Sequence, residues 1–480
     1  MKLKSRLLLI TVASLLSGLV SAEQLNLQQA IHKLLKYYPT LEIARLRTQQ
    51  AGWEIENIKS QLDWGLNGAV GVSHDVSAFS TPYDRFEASA NISRKLESGH
   101  SMGISGRYQY NDDSFVLNNS FPNPSQSLNL DLNYRVPLGR GENNTIYQQA
   151  KTIAELQQRI EQLNEKNILK SLVEQVINLF YEIENNERRL QYTESSIDRS
   201  RRLKNYIARN MQLGIYENKD VLEAQAQLLK VISEKETLAL AVSEQKNALR
   251  KLLGLEPGSS LELAIEKVIS MELVADQLLA EAEGDAAELQ IKQRQLEISD
   301  ARIISALNEN SDQKDIVFSV GARTLYGDST TESVSEEDYA AQLKFEYNYD
   351  LGKKSYKSNI EKIKKDKDIA LQEIRLNKDE IRYRLNALLD KIQRQEKVLQ
   401  KLTRHMKVSE EKYNDALQRH RKGRINTTDL IGFENDLHLA SLDYSSASIN
   451  LSLTKMNLAL FTGRLWNTLG IETGLPGRSE

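Results

Sequence analysis

The chain has 480 residues, of which 27% are charged, yet the formal net charge is only −3 and cysteine is absent. So even a balance gives no electrostatic case for nucleic acid as a partner, and the lack of thiols excludes disulfides, thiolate metal sites, cysteine nucleophiles and a lipid on an N-terminal cysteine. Only seven prolines, 40% hydrophobic residues and much Gln, Leu, Glu, Lys and Ala point to long helices more than to a compact α/β core.

Taken in chain order, Lys2, Lys4 and Arg6 precede an apolar run from Leu7 to Val20 and the small residues Ser21 and Ala22. That order predicts a secretory signal peptide over residues 1–22, with the mature chain starting at Glu23. The run is shorter than the ~20 apolar residues of a spanning helix, which disfavours a membrane anchor. No later stretch reaches that length, so any further membrane crossing must use a β-barrel, whose strands satisfy their backbone groups by pairing.

A helix is expected from Leu27 to Gln61. Beyond it the hydrophobic period falls to two: Leu66, Gly68, Val70 and Val72, then Phe86, Ala88, Ala90 and Ile92, then Met102, Ile104, Tyr108 and Tyr110, the last two runs joined through Ser98-Gly99 as an extra hairpin. Asn111-Asp112-Asp113 and Pro122-Asn123-Pro124 read as a polar, extracellular loop. Leu128, Leu130, Leu132, Tyr134 and Val136 then alternate with Asn129, Asp131, Asn133 and Arg135, giving one apolar and one wet face. Long helices follow, from about Asn143 to Asn210 and from Asn218 to Leu253, the first on the order of 100 Å long at the usual rise. In the second, Val221, Ala224, Leu228, Val231, Lys235, Leu238, Val242, Gln245, Leu249 and Leu252 keep a four-three spacing, a 3.5-residue coiled-coil seam.

The second half runs the same course. A helix over Ala286–Asn310 leads to strands at Ile316, Phe318, Val320 and Ala322 and at Tyr339, Ala341, Leu343, Phe345, Tyr347 and Tyr349. A helix from Lys354 to His420 carries the seam Ile381, Leu385, Leu388, Ile392, Gln395, Leu399, Leu402 and Met406, and a last one over Thr427–Phe461 repeats the spacing from Phe433. In one register Leu213-Gly214 through Asp220 align with Lys422-Gly423 through Asp429. Tyr134, Leu138 and Gly139 align with Tyr347, Leu351 and Gly352 in a register shifted by about one helical turn. The chain therefore reads as a tandem duplication: a first repeat over 23–253, a connecting segment over 254–285, a second repeat over 286–463 and a tail over 464–480. Six strands are fewer than the roughly eight of the smallest single-chain outer-membrane barrel, so closure calls for several chains. A soluble half-buried sheet would show the same alternation.

Signal peptide, duplicated helix-strand-helix halves and a Gly-x5-Asp turn opening a heptad-patterned helix in each half together resemble the TolC-like outer-membrane factor family, the outer membrane efflux proteins, across nearly the whole mature chain. The resemblance implies a mainly α fold with a transmembrane β-barrel: a homotrimer in which long antiparallel coiled-coil helices form an α-barrel topped by a shared β-barrel in outer-membrane lipid. It implies passive conduction in a tripartite efflux or type I secretion system, with a periplasmic adaptor and an inner-membrane transporter as partners and a helical domain in the periplasm. It makes Asp429, Asp220, Arg424 and His420 candidates for the periplasmic gate, and Gly214 and Gly423 candidates for the adaptor-docking tips. Gly432 stands where the family often has a second acidic residue, His420 where an aromatic gate residue is common, and six strands replace the usual four. Helix capping and an exposed tip ion pair, worth little by itself, are the plainer roles for these charged residues.

No enzyme reading finds a foothold. The six histidines form no i, i+4 pair or HExxH, no Gly-x-Ser-x-Gly elbow occurs, and Leu351-Gly352-Lys353-Lys354-Ser355 lacks the upstream glycine of a phosphate loop. No catalytic residue, metal or cofactor is expected. The rival class is a periplasmic coiled-coil adaptor or structural protein, which should carry a soluble β domain instead of barrel strands.

Overall fold

The computed structural model describes residues 24–76, 82–113, 122–264, 273–329, 333–468 and 470; the expected signal peptide and most of the 464–480 tail lie outside them. A short strand β1 (Gln24–Asn26) leads into α1 (Leu27–Tyr37), whose first turn is closed reciprocally: Gln29 N–H donates to Asn26 Oδ1 at 2.8 Å and Asn26 N–H to Gln29 Oε1 at 3.0 Å. The helix expected to continue to Gln61 instead breaks at Tyr38, which is extended, and resumes as α2 (Pro39–Lys59). Pro39 is the cause, because its ring disfavours helical geometry at the residue before it and suits the first turn of a new helix.

Four strands follow, β2 (Gly65–Asp75), β3 (Tyr83–Lys95), β4 (Ser101–Asp113) and β5 (Ser125–Pro137), then α3 (Thr145–Met211) and α4 (Asn218–Leu253). The connecting segment is more structured than its sequence suggested: β6 (Glu262–Ala264) pairs in parallel with β1, and α5 (Ala275–Asp285) precedes α6 (Ala287–Glu309). The second repeat continues with β7 (Gln313–Asp328), β8 (Ser333–Asn348), α7 (Lys354–Arg421) and α8 (Thr427–Phe461), and a single turn, α9 (Arg464–Thr468), follows. Among the described residues no helix is long and apolar enough to cross a membrane.

The chain divides into two compact units. One, residues 46–162 and 290–375, contains an antiparallel sheet in the order β2-β3-β4-β5-β7-β8. Its cross-strand rows alternate as the sequence predicts. Leu66, Ile92, Ile104, Leu132, Val320 and Ala341 lie in one apolar row, while Asn67, Asn91, Ser105, Asp131, Gly321 and Ala340 lie in a neighbouring row on the other face. The apolar face is uncovered: Leu66 is 71% exposed, Ile104 54% and Leu343 75%. Within this chain the sheet is open, with β2 and β8 as its edges.

The other unit, residues 1–45, 163–289 and 376–480, is helical among its described residues apart from the β1-β6 pair. Its largest core gathers Leu34 of α1, Val173, Ile177 and Phe180 of α3, Leu249 and Leu253 of α4, and Ala459 of α8 around Leu465 and Trp466 of α9. Each of these large side chains contributes about 1.5–3 kcal/mol by leaving water. On α7 the seam continues past Met406 through Ser409, Tyr413, Ala416 and His420, and every position from Ile381 onward is buried or half-buried while nearly all its neighbours are exposed. This narrow stripe is what a 3.5-residue period produces. By contrast α8 is buried on more than its seam, through Leu442, Ser445, Ile449 and Met456.

Candidate functional site

The two helix-turn-helix tips belong to the helical unit and are built alike. At the end of α3, Gly214 N–H donates to the Met211 carbonyl at 2.9 Å and Ile215 N–H to the Asn210 carbonyl at 3.0 Å. At the end of α7, Gly423 N–H donates to the His420 carbonyl and Arg424 N–H to the Arg419 carbonyl, both at 2.9 Å. These nested bonds are Schellman turns, which need a left-handed residue at C′; Gly214 has φ +74° and Gly423 φ +67°. A Cβ added at either would meet nothing within 4 Å. The glycines are therefore required by the backbone and not by crowding, and they leave the tip surface open.

Each turn hands over to a capped helix. In α4, Glu217 is the N-cap and Asp220 accepts its backbone N–H at 3.1 Å. In α8 the cap is Asn426, whose Oδ1 accepts from Asp429 N–H at 2.7 Å. The Asp220 carboxylate thus has the capping role, whereas Asp429 takes part in its cap only through its backbone N–H and its side chain stays exposed. Thr428 Oγ1 donates to Glu223 Oε2 at 2.7 Å, tying the start of α8 to α4. Arg424 is exposed and, among the described residues, forms no ion pair with Asp220 or Asp429.

His420, expected at the constriction, is only 1% exposed. Its ring stacks on Tyr216 with centroids 5.4 Å apart and planes at 23°, and Tyr206 completes the cluster at 6.1 Å from Tyr216 and 6.2 Å from His420. Nε2 lies 3.4 Å from Thr427 Oγ1, while the buried Nδ1 has no partner. Burial lowers the His420 pKa, opposed by the negative charge of Asp220. The Tyr216 phenol is pushed up to about 12, by burial first and by its neighbour Tyr206 second. The same heptad that defines the α7 seam places His420 inward, so the spacing already carried that signal.

Behind the tips lies a buried polar layer that no motif announced. Glu434 of α8 is 2% exposed and accepts from Ser196 Oγ at 2.7 Å, from Arg199 Nε at 3.2 Å and Nη2 at 3.1 Å, and from Gln227 Nε2 at 3.5 Å. The guanidinium of Arg199 also lies over the ring of Tyr413 on α7, 5.8 Å from its centroid. One turn along α8, His438 Nε2 meets Glu234 Oε2 of α4 at 3.0 Å. The Glu434 carboxylate thus joins α8 to α3 and α4 directly, and Arg199 carries the contact on to α7 through Tyr413. Among the described residues no group of three or more His, Asp or Glu is placed to hold a metal ion.

The sheet supplies the second functional surface. Its apolar face is uncovered and is edged by aromatics such as Phe345, Tyr347 and Tyr349; its other face is lined by Asn, Ser, Gly and charged residues. Such a sheet, apolar on one side and wet on the other with strands of eleven residues or more, has the pattern of a transmembrane barrel wall.

Residues 69–255 match the family model for outer membrane efflux proteins. In fold, the chain is similar to a membrane protein from Pseudomonas aeruginosa, at 13% identity and a TM-score of 0.69, covering 91% of this chain and 93% of that one. It is also similar to the outer membrane protein VceC from Vibrio cholerae (14% identity, TM-score 0.65, 92% and 96% covered) and to the CmeC outer membrane channel of Campylobacter jejuni (12% identity, TM-score 0.65, 92% and 86% covered). No curated protein matches by sequence. The resemblance to outer membrane efflux proteins read from the sequence is borne out, in sequence pattern over the first repeat and in fold over most of the chain. Of these neighbours, CmeC is an outer membrane channel.

Proposed function

We propose that the chain is the outer-membrane subunit of a tripartite efflux or type I secretion system, a homotrimer that conducts solutes passively out of the periplasm. The observation that carries this reading is the six-stranded sheet with an uncovered apolar face, which belongs against lipid, and a polar opposite face, which belongs against water. An adaptor or structural protein would share the helices but has no use for such a sheet.

In this reading the strands sit in outer-membrane lipid and the helical unit lies in the periplasm. The tips carrying Gly214 and Gly423 receive a periplasmic adaptor, which joins an inner-membrane transporter. Asp429, exposed and free of an ion pair, is the gate carboxylate; Asp220 and Arg424 flank it, and His420 with Tyr216 props the turn from inside. Three copies of Asp429 about one axis would attract cations and raise the barrier to anions. Fractionation of the envelope and electron microscopy of the extracted protein test the reading: threefold particles from the outer membrane are expected, and a short soluble particle absent from that membrane would refute it.

A further inference from the structure

The β3–β4 hairpin is part of the sheet and not an attachment to it. Strand β3 pairs with β2 along the whole of Gly65–Asp75, and β4 pairs with β5 from Ser101 to Asn111, so β2 and β5 never meet. The turn that joins the hairpin is built into the same frame: Gly99, at φ +87°, packs so tightly against Gly141 and Asn144 that an added Cβ would lie 2.6 Å from the Gly141 carbonyl oxygen. Asn144 Nδ2 donates to the Leu96 carbonyl at 3.2 Å.

Side-chain chemistry runs unbroken across it. The apolar row from Leu66 to Ala341 passes through Ile92 and Ile104 of the hairpin, and the next apolar row passes through Ala90 and Gly106. A plug or a flap lying in the lumen would be wet on both faces and would not need Ile92 and Ile104 exposed side by side on the lipid-facing side. The opposite face is mostly polar. One row reads Gly65, Ser93, Gly103, Asn133, Ser319 and Gln342, and another passes from Ser89 through Arg107 and Asn129 to Arg323 and Asp338, so the inward surface mixes small polar and charged side chains. Six is an even number, so β2 and β8 run in opposite directions, and a joint between β8 of one copy and β2 of the next would be antiparallel like every other pair.

On the trimeric outer-membrane reading above, we infer that three such sheets join edge to edge into an eighteen-stranded barrel, three copies of six strands, with β3 and β4 in its wall. Barrel diameter grows roughly linearly with strand number, so this bore is about one and a half times as wide as a wall with four strands per protomer. A bore of that width, even with side chains as long as Arg107 and Arg323 on its inward face, sets a looser size limit than a wall of four strands per protomer. Tighter selection falls to the helical tips.

Imaging of the full chain extracted from the outer membrane tests the inference. Eighteen wall strands are expected. A threefold particle with twelve wall strands and the hairpin lying elsewhere overturns the inference but keeps the channel; the absence of a threefold barrel overturns the reading on which it rests. Because the chain has no cysteine, paired cysteines give an independent readout in whole cells. Opposed residues of antiparallel strands lie within disulfide reach. Ala69→Cys with Ser89→Cys, and Arg107→Cys with Asn129→Cys, should each cross-link as readily as the control pair Asn129→Cys with Arg323→Cys across β5 and β7. Cross-linking of the control but of neither hairpin pair would remove the hairpin from the wall.

Discussion

Glu434 shows how much one buried side chain can hold. Its carboxylate is sheltered from water and satisfied by Ser196, Arg199 and Gln227 together, so its removal strands a cation and two hydrogen-bonding groups. Truncating one partner of a buried ion pair costs about 3–5 kcal/mol. Glu434→Ala should therefore lower the stability of the helical unit by about that amount, and Glu434→Gln by less because it keeps the acceptor for Ser196. Denaturant unfolding of the two variants checks the order; equal, negligible losses would show the layer to be passive. His420 predicts a pH effect. Burial lowers its pKa in the folded state, so the unfolded or loosened state binds the proton more readily and stability is lost as pH falls below the ordinary histidine range. With the intrinsic exchange rate divided out, tip amides should be less protected at pH 5 than at pH 7, and His420→Phe, which keeps the stack on Tyr216, should remove the difference. Exchange that stays pH-dependent beyond its intrinsic chemistry in the variant would place the switch elsewhere.

At the scale of elements, the tips are twin Schellman turns whose glycines are open to solvent. A side chain at Gly423 pays only for its left-handed backbone, about 1–2 kcal/mol, and projects into free space. Gly423→Trp should leave the proposed trimer folded while blocking the proposed docking surface, and export of toxic compounds should fall; wild-type export from cells with normal levels of the variant would show that this turn is not an adaptor-docking surface. Periodicity made these elements legible: the α7 seam and the six strands follow from spacing alone, and α4 and α8 begin and end where the sequence placed them. The break at Tyr38 was also written in the sequence, by Pro39, but the surrounding helical period concealed it. The α5 helix, the β1-β6 pair and the Glu434 layer were not legible, for different reasons. Short elements show too few periods, and a carboxylate that meets Arg199 and Gln227 across more than two hundred residues leaves no local pattern.

At the scale of the whole molecule, a gate at Asp429 needs a symmetry that a single chain does not possess. In one protomer Asp429 is an ordinary exposed carboxylate near a helix start, where the N-terminal dipole stabilises it modestly. Brought together in three copies about an axis, the same group becomes a ring of charge whose effect on a passing ion adds over the copies, while solvent screening limits its reach to about 10 Å at moderate salt. Asp220 is less suited to this part, because its carboxylate is committed to the α4 cap, and its loss should show first as a frayed helix. Asp429→Ala should consequently raise single-channel conductance in planar bilayers and reduce cation preference, with the larger change at low salt, and leave thermal stability nearly unchanged. Asp220→Ala should lower stability by about 1 kcal/mol, as the loss of a capping contact does, with a smaller effect on selectivity. If the Asp429 variant conducts and selects as the wild type does, the constriction is not acidic, and the ring must be sought among the side chains that Tyr216 and His420 hold in place.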